Sequence, residues 1–174
     1  MADTVYMEFA AAKIRGVGFI LWQARHMAYH VMLALLWVWF LRELWGVLNV
    51  WWIIVAAVGS VLPDVDHLRY FLTYGRKDAY SKQVFSYIKK GEWRRLFQFV
   101  STGHKHNTSL EFHNVYVMGL FMVSAMAAAS VDWQMGVVLF GAISSHYIFD
   151  MADDVVLLGQ LNRNWTRWGR PNER

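Results

Sequence analysis

Four long apolar segments constrain the fold of this chain more than any other feature. The clearest of them runs from Leu44 to Leu62 without a charged residue. Each segment has about 17–20 residues, enough to cross a hydrocarbon core of roughly 30 Å as a helix. A backbone in lipid must satisfy its own hydrogen bonds, and no segment alternates as a strand would. We therefore predict an all-α polytopic membrane protein with spans over residues 24–41, 44–62, 115–131 and 133–149.

The composition agrees with a membrane protein of one domain, residues 1–174. Hydrophobic residues make up 56% of the chain, which contains 10 Trp, 11 Phe and 8 Tyr, more aromatic residues than soluble domains usually carry. There is no Cys, and this excludes disulfides, thiolate metal ligands and thiol nucleophiles. The two prolines, Pro63 and Pro171, suit a helical chain. No cleavable signal peptide is recognisable in the sequence.

The connections between the segments predict two tight antiparallel hairpins. Arg42-Glu43 joins the first two segments, and Asp132 separates the last two. A polar loop, about residues 68–110, lies between the hairpins, and a basic tail, residues 151–174, follows the fourth segment. With four spans, every Lys and Arg except Arg42 falls on one side. This asymmetry predicts that both termini and the long loop are cytoplasmic, and it disfavours a soluble bundle with a buried core.

The run Pro63-Asp64-Val65-Asp66-His67 is rich in potential ligands and ends the second segment. Acidic side chains and an imidazole at the end of a membrane-length span are costly to bury without a purpose. Carboxylate oxygens and imidazole nitrogens are ligands that divalent cations bind. Capping of a helix end by Asp64 is the structural alternative, and we favour ligation.

All seven histidines and several carboxylates are expected at the same membrane face as this run. Odd segments begin, and even segments end, on the cytoplasmic side, so the polar residues at those ends converge there. Thr108 and Glu111 also fit a capping box for the third segment, which leaves Glu111 open between capping and ligation. Asp153 and Asp154 are expected in solvent or near the interface. The predicted metal ligands are His26, His30, Asp64, Asp66, His67, His104, His106, His113, His146 and Asp150.

The order of these motifs resembles the YdjM-like (DUF457) membrane-bound metal-dependent hydrolases. The resemblance covers most of residues 26–154. The family usually has His-Arg-Gly-x-Thr-His-Ser at the third element, and here Ser109 stands where the second histidine would be. The ligand at that point would come from His106, Glu111 or His113, or the site would hold fewer metal ions. The resemblance implies an enzyme of a prokaryotic cytoplasmic membrane with its site at the cytoplasmic face. The matching residues are Pro63 to His67, Gly103-His104-Lys105, Thr108, and Ser145-His146 with Asp150.

The predicted chemistry is hydrolysis of a phosphoester, either a lipid phosphate or another phosphodiester. One or two divalent ions would activate a water and stabilise the leaving oxygen, with Zn²⁺ as the first choice and Mn²⁺, Mg²⁺ or Fe as alternatives. Asp66 and His104 are the candidate catalytic residues, and Asp66 could bridge two ions. Lys105 or Arg69 could neutralise the phosphate.

The expected partners are membrane lipids and an anionic phospholipid or other phosphoester substrate. Residues 80–100 mix aromatic and basic side chains, as in an interfacial amphipathic helix that binds anionic headgroups or in a soluble cap over the site. The basic loop does not indicate nucleic acid, because positive-inside sorting already explains it. A non-catalytic metal-binding or interaction protein is the alternative function. A membrane di-iron oxidase, which also gathers histidines at one face, is the third.

Overall fold

The computed structural model describes residues 17–167, without the side chains of residues 17–23, 102 and 104–107. This described part is mainly helical and contains no strand, which confirms the predicted all-α class. The helices are α1 (Val17–Trp45), α2 (Val50–Val61), α3 (Val65–Leu72), α4 (Ala79–Lys90), α5 (Trp93–Asn107), α6 (Val115–Ser130) and α7 (Gln134–Leu158), with 3₁₀ turns at Leu62–Asp64 and Arg163–Thr166.

Three helical segments within the described residues are long and apolar enough to cross a membrane. They are Ala24–Trp45, Val50–Leu72, which continues from α2 through the first 3₁₀ turn and α3, and Gln134–Leu158. The third predicted span corresponds to α6, which is apolar but has 16 residues and is therefore only about 24 Å long. An integral membrane protein is thus supported, while the arrangement of four spans as two hairpins stays a prediction.

The connection between the first two apolar helices lies later than predicted. Helix α1 continues through Arg42-Glu43 as far as Trp45, so the expected turn at these two residues is wrong. Their side chains form an ion pair of 2.9 Å on the exposed helix surface, and both residue types favour helix. Gly46 ends the helix with a φ of +69°, and the Asn49 side chain then caps α2 by accepting the Trp51 N–H.

The last apolar helix is longer than predicted. Its expected end was at residue 149, with residues 151–174 as a tail, but α7 continues to Leu158. Nothing from Met151 to Leu158 breaks a helix, and Gly159, with a φ of +69°, is the first residue suited to end it. Two further turns of helix are therefore added beyond Asp150.

The chain divides into two compact units. As far as it is described, the first comprises Met1–His26 and His67–Ser109, and the second comprises Met27–Asp66 and Leu110–Arg174. In the first unit α4 packs against α5, and the Tyr80 ring stacks on Phe99 at 4.9 Å. Burial raises the pKa of Tyr80. A single interfacial helix over residues 80–100 is not formed, because Gly91 takes a φ of +68° and separates α4 from α5.

The second unit is built around α7, which α1, α2 and α6 all contact. Glycines allow two of these close approaches. A Cβ at Gly59 of α2 would lie 3.1 Å from the Leu139 carbonyl oxygen, and a Cβ at Gly141 of α7 would clash with the Trp37 ring of α1. The buried core comprises Ala34, Val38, Leu41, Trp52, Ala56, Ala128, Val137, Val138 and Ala142.

Candidate metal centre

The helices of the second unit carry polar side chains to one level. With a rise of about 1.5 Å per residue, His30 lies about 22 Å from the end of α1 at Trp45, and Asp150 lies about 24 Å from the start of α7 at Gln134. Asp64 lies about 21 Å from Val50, where α2 begins. These three distances are similar. Because α1, α2 and α7 share one apolar core, the imidazoles and carboxylates come together at one end of that core.

Pro63 explains how the imidazole of His146 is oriented. Around Leu62–Asp64 the helix tightens to a 3₁₀ turn, in which the Ser60 carbonyl would accept from the amide of residue 63. Residue 63 is proline and has no N–H. The Ser60 carbonyl instead lies 2.6 Å from Nδ1 of His146, and a carbonyl can only accept. His146 Nδ1 therefore carries the proton, and a neutral ring presents the Nε2 lone pair to the cluster.

Asp150 lies at the centre of the cluster. Its Oδ1 is 3.2 Å from Nε2 of His30. Its Oδ2 is 3.2 Å from Nε2 of His146 and 3.6 Å from Nε2 of His113. The rings of His30 and His146 stack with centroids 3.8 Å apart. The two oxygens of one carboxylate thus face different imidazoles, an arrangement suited to a bridging or orienting carboxylate.

Asp66 holds the segment that carries His113. Its Oδ2 accepts the backbone N–H of Phe112 at 2.8 Å and lies 3.5 Å from Nδ1 of His113. Asn114 then caps α6, since its Oδ1 accepts the N–H groups of Tyr116 and Val117. The predicted capping box of Thr108 and Glu111 is therefore wrong: the cap lies closer to the helix than either residue.

One group in the second unit has the donor set of a divalent metal site. Asp64, His113 and His146 each offer a ligand atom, and these atoms lie within 4.8 Å of one another. The buried Oδ2 of Asp64 and Nε2 of His146 have no hydrogen-bond partner of ordinary geometry among the described residues. Two imidazoles and one carboxylate match a catalytic zinc site that keeps a fourth position open. The cluster could therefore hold a metal ion.

Six of the ten predicted ligands come together in this unit: His30, Asp64, Asp66, His113, His146 and Asp150. His26 and His67 belong to the other compact unit, and their predicted ligation stays a prediction. The side chains of His104 and His106, and that of Lys105, lie outside the described residues. The catalytic role expected for His104 therefore also stays a prediction.

The structure adds residues that the sequence reasoning did not single out. Pro63, three residues after Ser60, indicates that the Ser60 carbonyl needs another partner. The place of Asn114 before an apolar run indicates a helix cap. Trp165 gave no such signal. Its indole Nε1 donates to Asp154 at 2.7 Å inside the protein, and its ring lies edge-on to His113 and Tyr147. Asp154 is buried, so exposure of this residue to solvent is wrong, while its position near the interface stays a prediction.

We expect Trp165→Phe to destabilise the protein by about 1.5–3 kcal/mol, the usual contribution of a hydrogen bond to a charged group. The aromatic volume is nearly kept, while the donor to the buried Asp154 is lost. Thermal unfolding in detergent would measure the effect. Trp39→Phe, at an exposed tryptophan of α1, is the matched control. Equal unfolding temperatures for the two variants would show that the Asp154–Trp165 bond contributes nothing.

Comparisons of the chain with protein-family models, with curated proteins and with solved structures found no match. Function is therefore inferred from the cluster itself. Its content is three imidazoles and three carboxylates, gathered in a helical unit of membrane-length segments.

Proposed function

We propose that this protein is an integral-membrane metal-dependent hydrolase that cleaves a phosphoester. The observation that carries the proposal is the imidazole of His146. The Ser60 carbonyl holds its Nδ1 proton, and its buried Nε2 lies among carboxylates at 3.2 Å from Asp150 and 3.9 Å from Asp64. A lone pair beside carboxylate oxygens is repulsive unless a proton or a cation lies between them. A divalent ion suits that position.

The proposal includes the orientation and the fourth span. All Lys and Arg residues except Arg42 belong to the regions that we assign to the cytoplasmic side, and α6 would cross as a short apolar helix beside α7. Both termini would then be cytoplasmic, and the metal cluster would lie near the cytoplasmic ends of the spans. Membership of the YdjM-like hydrolases remains part of the proposal, supported by the ordered motifs around Asp64, His104 and His146.

One ion would be held by Asp64, His113 and His146, and Zn²⁺ is the first choice for two nitrogens and one oxygen. Asp150 is the carboxylate suited to bridge to a second ion, because its Oδ1 faces His30 and its Oδ2 faces His146. Asp66 is less suited, since its Oδ2 already accepts the Phe112 N–H. Its role here is to orient His113, as a carboxylate behind a ligating histidine does.

A divalent ion, when bound, lowers the pKa of a water and stabilises negative charge on the phosphoryl and leaving oxygens. The remaining chemistry belongs to the chain. The Ser60 carbonyl fixes the tautomer of His146, and Asp66 fixes the position of His113 through Phe112. The imidazoles are almost fully buried, so bulk water is excluded around them. Asp64, the most exposed member, faces the incoming substrate.

The test is metal analysis of the purified protein together with a screen of phosphoester substrates. We expect one or two ions per chain, Zn²⁺ foremost, and hydrolysis that a chelator abolishes and the ion restores. A protein without stoichiometric metal would contradict the proposal at its first step. Bound metal without phosphoester cleavage would favour the non-catalytic metal-binding protein, and oxygen-dependent turnover with bound iron would favour the di-iron oxidase.

Asp66→Asn separates an orienting role from ligation. The amide oxygen can still accept the Phe112 N–H, so we expect metal affinity to fall by about 10–100-fold, as for loss of an outer carboxylate. Asp64→Asn, which removes a ligand oxygen, should cost more. Titration against a chelator of known affinity measures both. An equal loss of metal affinity in the two variants would indicate that Asp66 is a direct ligand.

A further inference from the structure

The buried cluster reaches the protein surface at Asp64. The Asp64 side chain is 23% exposed and that of Asp150 12%, while His30, His113, His146 and Asp66 are almost fully covered. A substrate group that meets the cluster without rearrangement of the helices must therefore arrive beside Asp64.

The chain around Asp64 presents exposed apolar side chains. Leu62 is 47% exposed and Val65, the residue after Asp64, is 54% exposed. At the same level of the unit, Tyr116 on α6 and Ile148 on α7 are also exposed. Apolar residues exposed on several helices at one level indicate contact with lipid rather than with water.

The lengths of the helices lead to the same conclusion. The cluster lies about 21–24 Å from the opposite helix ends, and a hydrocarbon core is about 30 Å thick. If the opposite helix ends lie at the far boundary of the hydrocarbon core, several ångströms of hydrocarbon remain between the cluster and the near boundary.

We propose that the substrate is a phosphoester carried by a membrane lipid, which enters the cluster laterally from the bilayer past Leu62 and Val65. This inference rests on the proposed function. The acyl chains stay in the hydrocarbon while the phosphoryl group dips to Asp64. Hydrolysis forms a bond from the water oxygen to phosphorus, breaks the bond from phosphorus to the ester oxygen, and delivers a proton to the departing alcohol. No oxidant or reductant is needed.

The depth of the cluster can be measured without any activity. The chain has no Cys, so single cysteines at Leu62 and Val65 can carry a nitroxide in proteoliposomes. Val58, an exposed residue of α2, serves as the hydrocarbon reference, and Lys82, exposed on α4, as the aqueous one. We expect labels at 62 and 65 to be relaxed by oxygen, as at 58. Relaxation by a water-soluble nickel chelate, as at 82, would overturn lateral entry.

The substrate class is tested with the metal-loaded protein in vesicles. Dioleoyl phosphatidic acid should be cleaved with a kcat/KM at least about tenfold above that of glycerol phosphate, because remote binding contributes to the reaction. Leu62→Ser should lower cleavage of the lipid alone and leave the metal content unchanged, whereas Val58→Ser should change neither. Equal cleavage of both substrates would overturn the lipid assignment. Cleavage of neither monoester and of no diester in the substrate screen, with labels in hydrocarbon and metal bound, would overturn the proposed function itself.

Discussion

His146→Ala is expected to remove the bound metal and to reduce phosphoester hydrolysis to background. The variant deletes the Nε2 atom that lies 3.9 Å from Asp64 and 3.2 Å from Asp150 in the second unit. Loss of a direct ligand should exceed the roughly 10–100-fold fall in affinity that follows loss of an outer-shell partner. Metal content by mass spectrometry and hydrolysis by phosphate release measure the two effects on the same preparation.

Ser144→Ala is the matched control for this variant. Ser144 is a buried residue of the same helix, and its hydroxyl donates to the Phe140 carbonyl within that helix. We expect this variant to keep its metal and its activity. If His146→Ala also kept stoichiometric metal while remaining folded, the cluster around Asp64 and His146 would not be the metal site.

Trp52→Ala is expected to have the largest effect on stability, about 3–5 kcal/mol, as for other buried tryptophans. Trp52 is 2% exposed in the apolar core and packs edge-on against Trp45 at 5.0 Å. Its removal leaves a cavity where α2 meets the helices around α7. Unfolding in mixed detergent micelles, followed by circular dichroism, gives the change in free energy.

The neighbouring Trp51 provides the comparison for this variant. It is 59% exposed, and in a membrane that face would contact lipid. Trp51→Ala should change the free energy of unfolding by no more than about 0.5 kcal/mol, as at other surface positions. A larger effect at 51 than at 52 would mean that α2 is rotated about its axis relative to the described structure.

Particular residues show how much of the fold the sequence predicts. The apolar runs predicted helices of membrane length, because length and the absence of charge are local properties. Helix ends were less predictable. Arg42-Glu43 looked like a connection, but two good helix formers that pair with each other continue a helix. Asp150 was expected to close the fourth span, but α7 continues beyond it and ends at Gly159.

The sequence predicts which residues belong to the candidate site but not how they are arranged. Its histidines and carboxylates share one membrane side in any four-span topology, so His30, Asp64, His146 and Asp150 could be grouped by counting segments. Counting could not distinguish Asp66, which accepts the Phe112 N–H, from Asp64, which offers its oxygen to the cluster. That difference depends on a contact between residues 46 positions apart in the chain.

Composition and spacing are enough to predict a helical chain with membrane-length segments and many potential metal ligands. Which of these ligands face one another depends on how the helices pack. The Ser60 carbonyl faces His146, and Trp165 donates to Asp154. Both contacts depend on how the chain packs around α7, and no local pattern encodes that packing.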